Sequence, residues 1–215
     1  MIRCLSLNAQ RQLPNVSLLN QVDMSDRDIL FLQRCHVSLA MSIRRTFNLH
    51  IEWKASTNIS ANIGMCILSK KHLNVETKDI NVNIDHADSN QCSKYQIFDY
   101  DGFKFVNFLP PYEPAGADIE YLTELFKDNF DFAIGDTHTG FTTDSENKKS
   151  IMPMLPNRYT VVNNHDNFMS LHGPMMLTWA IIDKAKLKLT DEKVHLFDQT
   201  KHIQHFPVSF NLETL

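Results

Sequence analysis

Phe132-Ala133-Ile134-Gly135-Asp136-Thr137-His138-Thr139-Gly140 gathers a strand, a carboxylate and an imidazole into one short stretch. The apolar run between Lys127-Asp128 and Gly135 reads as a buried strand. Its C-terminal end carries Asp136, beside a glycine that lets the backbone turn sharply. His138 follows two residues later and projects to the same side if the strand continues. An acid and a histidine at a strand end suit phosphate chemistry or a metal. The structural alternative has Asp136 capping a turn and His138 on the surface, and the local sequence by itself favours it.

Composition narrows the classes. The 215 residues fit one domain, 1–215, with a substantial core. Hydrophobic content of 43% with 21% charged residues is that of a globular protein, and the net charge of −4 gives no general attraction to nucleic acid or acidic membranes. Arg44-Arg45 and Lys70-Lys71 remain candidates for a local basic groove, although adjacent charges of this kind usually form a solvated face. Cys4, Cys35, Cys66 and Cys92 form no Cys-x-x-Cys pair and read as reduced, mostly buried thiols. With no signal-peptide core at Met1 to Leu5 and no apolar stretch of membrane length, the expectation is a soluble, intracellular protein with no membrane partner.

Outward from the opening stretch, the chain alternates strands and helices. Ile2 to Leu7 is an alternating strand ending at Asn8, and Asp28 to Gln33 is a buried strand ending at Arg34. A helix follows over His36 to Phe47, with Val37, Ala40, Met41 and Phe47 as its apolar side. Ile63 to Ser69 is a strand, and Tyr95–Phe98 with Phe103–Asn107 form a hairpin about Asp101-Gly102. After Pro110-Pro111 and Pro114, a helix buries Ile119, Leu122, Leu125 and Phe126 and feeds the strand of Asp136. Later strands are expected at 158–162, 178–183, 193–197 and 206–210, with loops at 85–93 and 142–150. Many strands with two clear helices give an α/β or α+β class with packed sheets.

The order of these pieces resembles the endonuclease/exonuclease/phosphatase superfamily, the deoxyribonuclease I-like fold, along nearly the whole chain. Leu5-Ser6-Leu7-Asn8 is similar to the first family strand ending in Asn, and Asp28 to Gln33 to the second, normally completed by Glu. Gly64 to Lys70 resembles the glycine-led strand ending in Ser-Lys, and Phe105-Val106-Asn107 the strand before a catalytic His or Tyr. Gly135-Asp136-Thr137-His138 stands where the family has Gly-Asp-x-Asn. Ile182-Asp183 resembles the late Ile-Asp pair, and Gln204-His205-Phe206-Pro207-Val208 the closing Asp-His-x-Pro-Val.

The resemblance implies a sandwich of two mixed β-sheets flanked by helices, with its site in the loops at one end. It also implies Mg²⁺ or Mn²⁺ held by the Glu, an aspartate that orients the attacking water, and a final His on the phosphate. On it, Asp136, His205, His138 and Asp183 are the catalytic candidates, and Asn8, Arg34, Asn107 and Tyr112 the substrate-binding ones. Asn8 and Asp136 are the ligands if any metal binds. Asn8, Arg34, Asp136, Asp183 and His205 are expected to converge at one end of the sheets.

Departures cut into that chemistry. Arg34 takes the place of the metal-binding Glu, Leu109 lies near the expected His or Tyr with Tyr112 as a displaced substitute, His138 replaces Asn, and Gln204 replaces Asp. Arg34 opposes a divalent cation there, while its fork suits phosphate oxygens. One reading is a divergent phosphoesterase acting on nucleic-acid or nucleotide phosphates, with a weak, altered or metal-independent site for which His172 is a further candidate ligand. Another is a fold that has lost catalysis and binds nucleic acid, a nucleotide or a protein partner. A third rebuilds a metal site from Asp136, His138 and His205.

Overall fold

The structure, a computed structural model, describes residues 1–9, 26–55, 62–80, 94–110, 117–141, 155–162, 168–170, 173–195 and 206–215. Strands β1 (Ile2–Asn8), β2 (Ile29–His36), β3 (His50–Ala55), β4 (Ile63–Ser69), β12 (Leu187–Val194) and β13 (Val208–Thr214) make one sheet, in the order β12-β13-β1-β2-β4-β3. The second sheet runs β10 (Phe168–Ser170), β11 (Gly173–Asp183), β8 (Phe132–Phe141), β7 (Phe103–Phe108), β6 (Lys94–Tyr100) and β5 (Val75–Asp79), with β9 (Tyr159–Val161) pairing β11. Both sheets are mixed: β1–β2 and β7–β8 are parallel, and the remaining pairs are antiparallel.

Strand alternation divides the apolar residues between layers. Ile2, Cys4, Ile29, Phe31, Phe105, Phe132, Ile134, Ala180 and Ile182 meet in the core between the sheets. There Phe105 and Phe132 lie 5.4 Å apart, and Phe132 and Phe210 5.5 Å, as ring centroids. Leu5, Leu7, Leu30 and Leu32 pack on the outer side against helix α1 (Val37–Phe47). Val106, Phe108, Ala133, Trp179 and Ile181 pack against helix α2 (Ala117–Leu125). Strands buried on both faces explain the near-continuous apolar runs of β2, β4 and β8.

His36 caps α1, its ring accepting from the Ser38 N–H at 3.2 Å, and left-handed Asn48 closes it with Arg44 and Arg45 in the last turn. The buried side of α1 is Leu39, Ala40 and Ile43, whereas Val37, Met41 and Phe47 are only half-buried, so the expected stripe was rotated. In α2, Leu122 and Leu125 are buried as expected, together with Tyr121, whose hydroxyl donates to the Lys94 carbonyl at 2.8 Å.

Sequence reading missed β10 (Phe168–Ser170) as well as β3 and β5; the latter two and the displaced β12 lie at sheet edges. Their charged, half-exposed residues hide the alternation and discourage pairing with another chain. Cys4, Cys35 and Cys66 are buried and unoxidised, and burial pushes the Cys35 thiol up to about 12, which keeps it inert; Cys92 lies outside the described residues. No helix among the described residues is long and apolar enough to cross a membrane.

Candidate functional site

The two parallel strand pairs end at the same end of the sandwich. Asn8 lies opposite Gln33 where β1 finishes beside β2, and Phe108 opposite Gly135 where β7 finishes beside β8. A Cβ on Gly135 would come within 2.6 Å of Phe108 Cγ and closer still to the Phe108 carbonyl, so only glycine permits this approach. The next residue, Asp136, points into the sandwich and accepts a hydrogen bond from Asn8 Nδ2 on the other sheet. Both side chains are buried, Asp136 completely. Burial pushes the Asp136 carboxyl up to about 7, while the Arg34 charge and the Asn8 hydrogen bond pull it back.

Arg34 reaches this end through an irregularity in β2. Along the strand, Ile29 and Phe31 face the opposite sheet, and Leu30 and Leu32 face α1. Plain alternation would turn Gln33 inward and Arg34 under α1. Instead, Leu32 pairs with Cys66 and Cys35 with Gly64, so that Gln33 and Arg34 together stand against Met65. This is a bulge. Arg34 adopts a left-handed φ of 47°, at a cost of roughly 1–2 kcal/mol for a residue with a Cβ, and Cys35 returns to the α1 layer. β2 therefore continues past Arg34 to His36, rather than ending at Gln33. Half-buried Arg34 exerts its charge on Asp136.

Of the five residues expected to converge, Asn8, Arg34 and Asp136 do so. Asp183 does not. β11 runs antiparallel to β8, with Thr178 opposite Asp136 and Ile182 opposite Phe132. Asp183 therefore lies five residues, or roughly 17 Å, beyond Thr178 at about 3.4 Å per residue. There it pairs with Arg158 at 3.0 Å and its backbone N–H donates to the Asp131 carbonyl at 2.9 Å. This is a structural ion pair remote from Asp136.

Asn107, expected to face substrate, is also internal. It is wholly buried, accepts from Gln33 Nε2 at 2.8 Å and donates to Gln96 Oε1 at 3.0 Å, tying the sheets together. Leu109 is buried against Met65, an apolar contact where a His or Tyr was sought. His205, Gln204, Tyr112 and His172 lie outside the described residues, as does the side chain of His138, whose backbone belongs to β8. Sequence reading missed buried Thr178 and Gln33. The polar Gln33 at the end of an otherwise apolar strand was the available signal.

The Mg²⁺ or Mn²⁺ implied by the fold family meets a poor donor set. Asn8 and Asp136 are hydrogen-bonded to each other, Arg34 adds a positive charge, and no group of three or more His, Cys, Asp or Glu among the described residues could hold a metal ion. A unit charge pair at about 4 Å and an effective dielectric near 20 interacts by roughly 4 kcal/mol, doubled for a divalent ion. About 1.4 kcal/mol of that is already a tenfold change in affinity. Arg34→Glu is therefore expected to strengthen Mg²⁺ binding by about tenfold or more in calorimetry. Equal Mg²⁺ binding by both proteins would show that Arg34 exerts no such repulsion.

No family model matches the sequence, and no match emerges among curated proteins. Solved structures do match. An endonuclease/exonuclease/phosphatase family protein from Leptotrichia buccalis superposes with a TM-score of 0.71 at 13% identity, over 99% of this chain and 100% of that one. This chain has the endonuclease/exonuclease/phosphatase fold. An AP endonuclease from Archaeoglobus fulgidus matches with a TM-score of 0.67 at 13% identity, covering 99% and 100% of the two chains. ANGEL2, described as a 2′,3′-cyclic phosphatase in complex with adenosine-2′,3′-vanadate, matches at 0.65 and 11% identity, covering 98% and 95%. The deoxyribonuclease I-like sandwich is thus the architecture expected from the spaced strand motifs, carrying its own set of polar residues where β1, β2, β7 and β8 converge.

Proposed function

We propose that this chain is a divergent phosphoesterase-fold protein that handles phosphates of nucleic acids or nucleotides through Arg34, without a divalent metal at the usual position. The observation that carries the reading is Arg34 itself, the extra residue of a bulge, acting electrostatically on the buried Asn8–Asp136 pair. A guanidinium neutralises a phosphate directly and bonds its oxygens in pairs. It would thereby take over the charge compensation that a cation gives elsewhere. With its carboxyl near 7, Asp136 exchanges a proton readily around neutral pH, as a general base for an attacking water requires. AP endonucleases and 2′,3′-cyclic phosphatases on the same fold make nucleic-acid and nucleotide phosphates the ligands to try first.

The complete burial of Asp136 favours a second reading, a binding module without turnover, because a base closed off from solvent meets no water. Assays with added metal or EDTA on plasmid DNA, RNA, nucleotides and sugar phosphates separate the two readings. Hydrolysis that disappears in Asp136→Ala supports the esterase. Binding without turnover that disappears in Arg34→Gln supports the module. Neither hydrolysis nor binding with any of these ligands contradicts both.

A further inference from the structure

His50 and His72 are exposed and lie beside each other, with ring centroids 5.7 Å apart and planes at 63°. Each belongs to a well-anchored stretch of chain. His50 opens β3 and pairs with Ser69 of β4, in a ladder that keeps its register as far as Ala55 opposite Gly64. His72 stands in the link from β4 to β5, and the next residue, Leu73, is buried in the core between the sheets. Both backbones are therefore fixed, while the exposed rings exchange rotamers freely.

Neither ring is otherwise engaged. His36 caps α1, and His195 shares a hydrogen bond with Ser209 at 2.7 Å. Among the described residues, by contrast, no hydrogen bond or ion pair holds the ring of His50 or His72. The neighbouring cations are compensated, Lys71 by Asp101 at 2.7 Å and Lys70 by Asp28 at 3.7 Å. Glu52, two residues along β3 on the His50 face, adds negative charge.

The separation of the rings suits a shared metal ion. With Zn–N of about 2.0–2.1 Å and each nitrogen roughly 1.1 Å from its ring centre, two imidazoles on a tetrahedral ion have centres roughly 5.2 Å apart. The rings need close by only about 0.5 Å and turn one nitrogen each to a common point. Imidazole suits Zn²⁺, Cu²⁺ and Ni²⁺, whereas Mg²⁺ takes oxygen ligands. We propose that His50 and His72 form a two-imidazole site for a borderline divalent cation such as Zn²⁺, clasping the first residue of β3 to the β4–β5 link. Among the described residues no group of three His, Cys, Asp or Glu forms, so water fills the remaining positions and binding is weaker than at a closed four-ligand site. Ser69 also pairs with Ile29, at the end of β2 remote from Arg34. The clasp is thus separate from Asn8 and Asp136 and independent of the phosphate reading.

Titration with ZnCl₂ after removal of EDTA, followed through the imidazole resonances, tests the site, because it reads these two rings apart from the other histidines. Both are expected to shift along one saturation curve, and Mg²⁺ to move neither. In His50→Gln the His72 ring should need about tenfold or more Zn²⁺ for the same shift, and the His50 ring likewise in His72→Gln, because each imidazole is an intramolecular ligand for the ion held by the other. Both substitutions are at exposed rings and leave the fold intact. Zn²⁺ should also raise the unfolding midpoint of the parent more than that of either variant. Rings that stay unmoved, or that respond at the same Zn²⁺ concentration when the other histidine is replaced, overturn the site.

Discussion

Gly135→Ala is expected to destabilise the protein by about 3 kcal/mol or more, one of the largest effects of a single methyl group in this chain. Parallel pairing brings Phe108 directly beside Gly135, and the added Cβ would press on the Phe108 carbonyl and ring. A carbonyl fixed in a sheet ladder cannot move aside as a side-chain tip can. The strain would fall one residue before Asp136, so the Asn8–Asp136 bond should be lost along with stability. Gly102 is the natural comparison: it has φ +84° in the β6–β7 turn, with nothing within 4 Å of an added Cβ. Gly102→Ala should cost only about 1 kcal/mol, from backbone conformation. Urea unfolding of the two variants decides the matter, and equal losses would show that β7 and β8 do not approach as closely as described.

Asp136→Asn is expected to stabilise the protein at pH 8 and to leave it unchanged at pH 4. The carboxyl has an ordinary value of 3.8 in the unfolded chain, against about 7 when buried. Below pH 4 both states are protonated and burial carries no ionic penalty. As pH rises from 4 to 7 the unfolded chain releases its proton while the native state keeps it, so stability falls. Above 7 the penalty is complete, on the order of 4 kcal/mol before solvent relaxation reduces it. Asparagine retains an oxygen for Asn8 Nδ2 and carries no charge to desolvate. The difference in unfolding free energy between parent and variant should therefore open between pH 4 and pH 7 and then stay constant. A difference of opposite sign at pH 8 would mean that Arg34 stabilises the ionised Asp136 carboxylate in the native protein by more than burial penalises it.

Much of this architecture was legible because strands buried on both faces print continuous apolar runs. β2, β4 and β8 were visible in that way, β1 by its alternation and β7 by the hairpin about Asp101-Gly102, and their order resembled one family. Edge strands β3 and β5 are charged and half-exposed, and periodicity alone does not separate them from loops. The site was legible only where a residue closes a buried strand. Asn8 does so, Asp136 ends the apolar run of a strand, β8, that continues to Phe141, and the two face each other across the sandwich. Asp183 also closes a buried strand, but at the other end, since strand direction decides which terminus faces the site and one sequence does not reveal pairing direction. Arg34 was noticed as a substitution, yet the bulge that turns it from the α1 side arises from register with β4, a property of two strands together. Asn107 carried a motif resemblance and proved to be an internal tie, because its neighbours Gln33 and Gln96 come from distant parts of the chain.

Calorimetric titration of adenosine 5′-monophosphate in EDTA, with the parent protein and with Arg34→Gln, tests the central claim most directly. The expected result is binding by the parent without any divalent metal, weakened about tenfold or more by the loss of the guanidinium, since a charged, paired hydrogen bond to phosphate contributes about 1.5–3 kcal/mol. Binding that appears only when Mg²⁺ is added, and that is the same in both proteins, would contradict it.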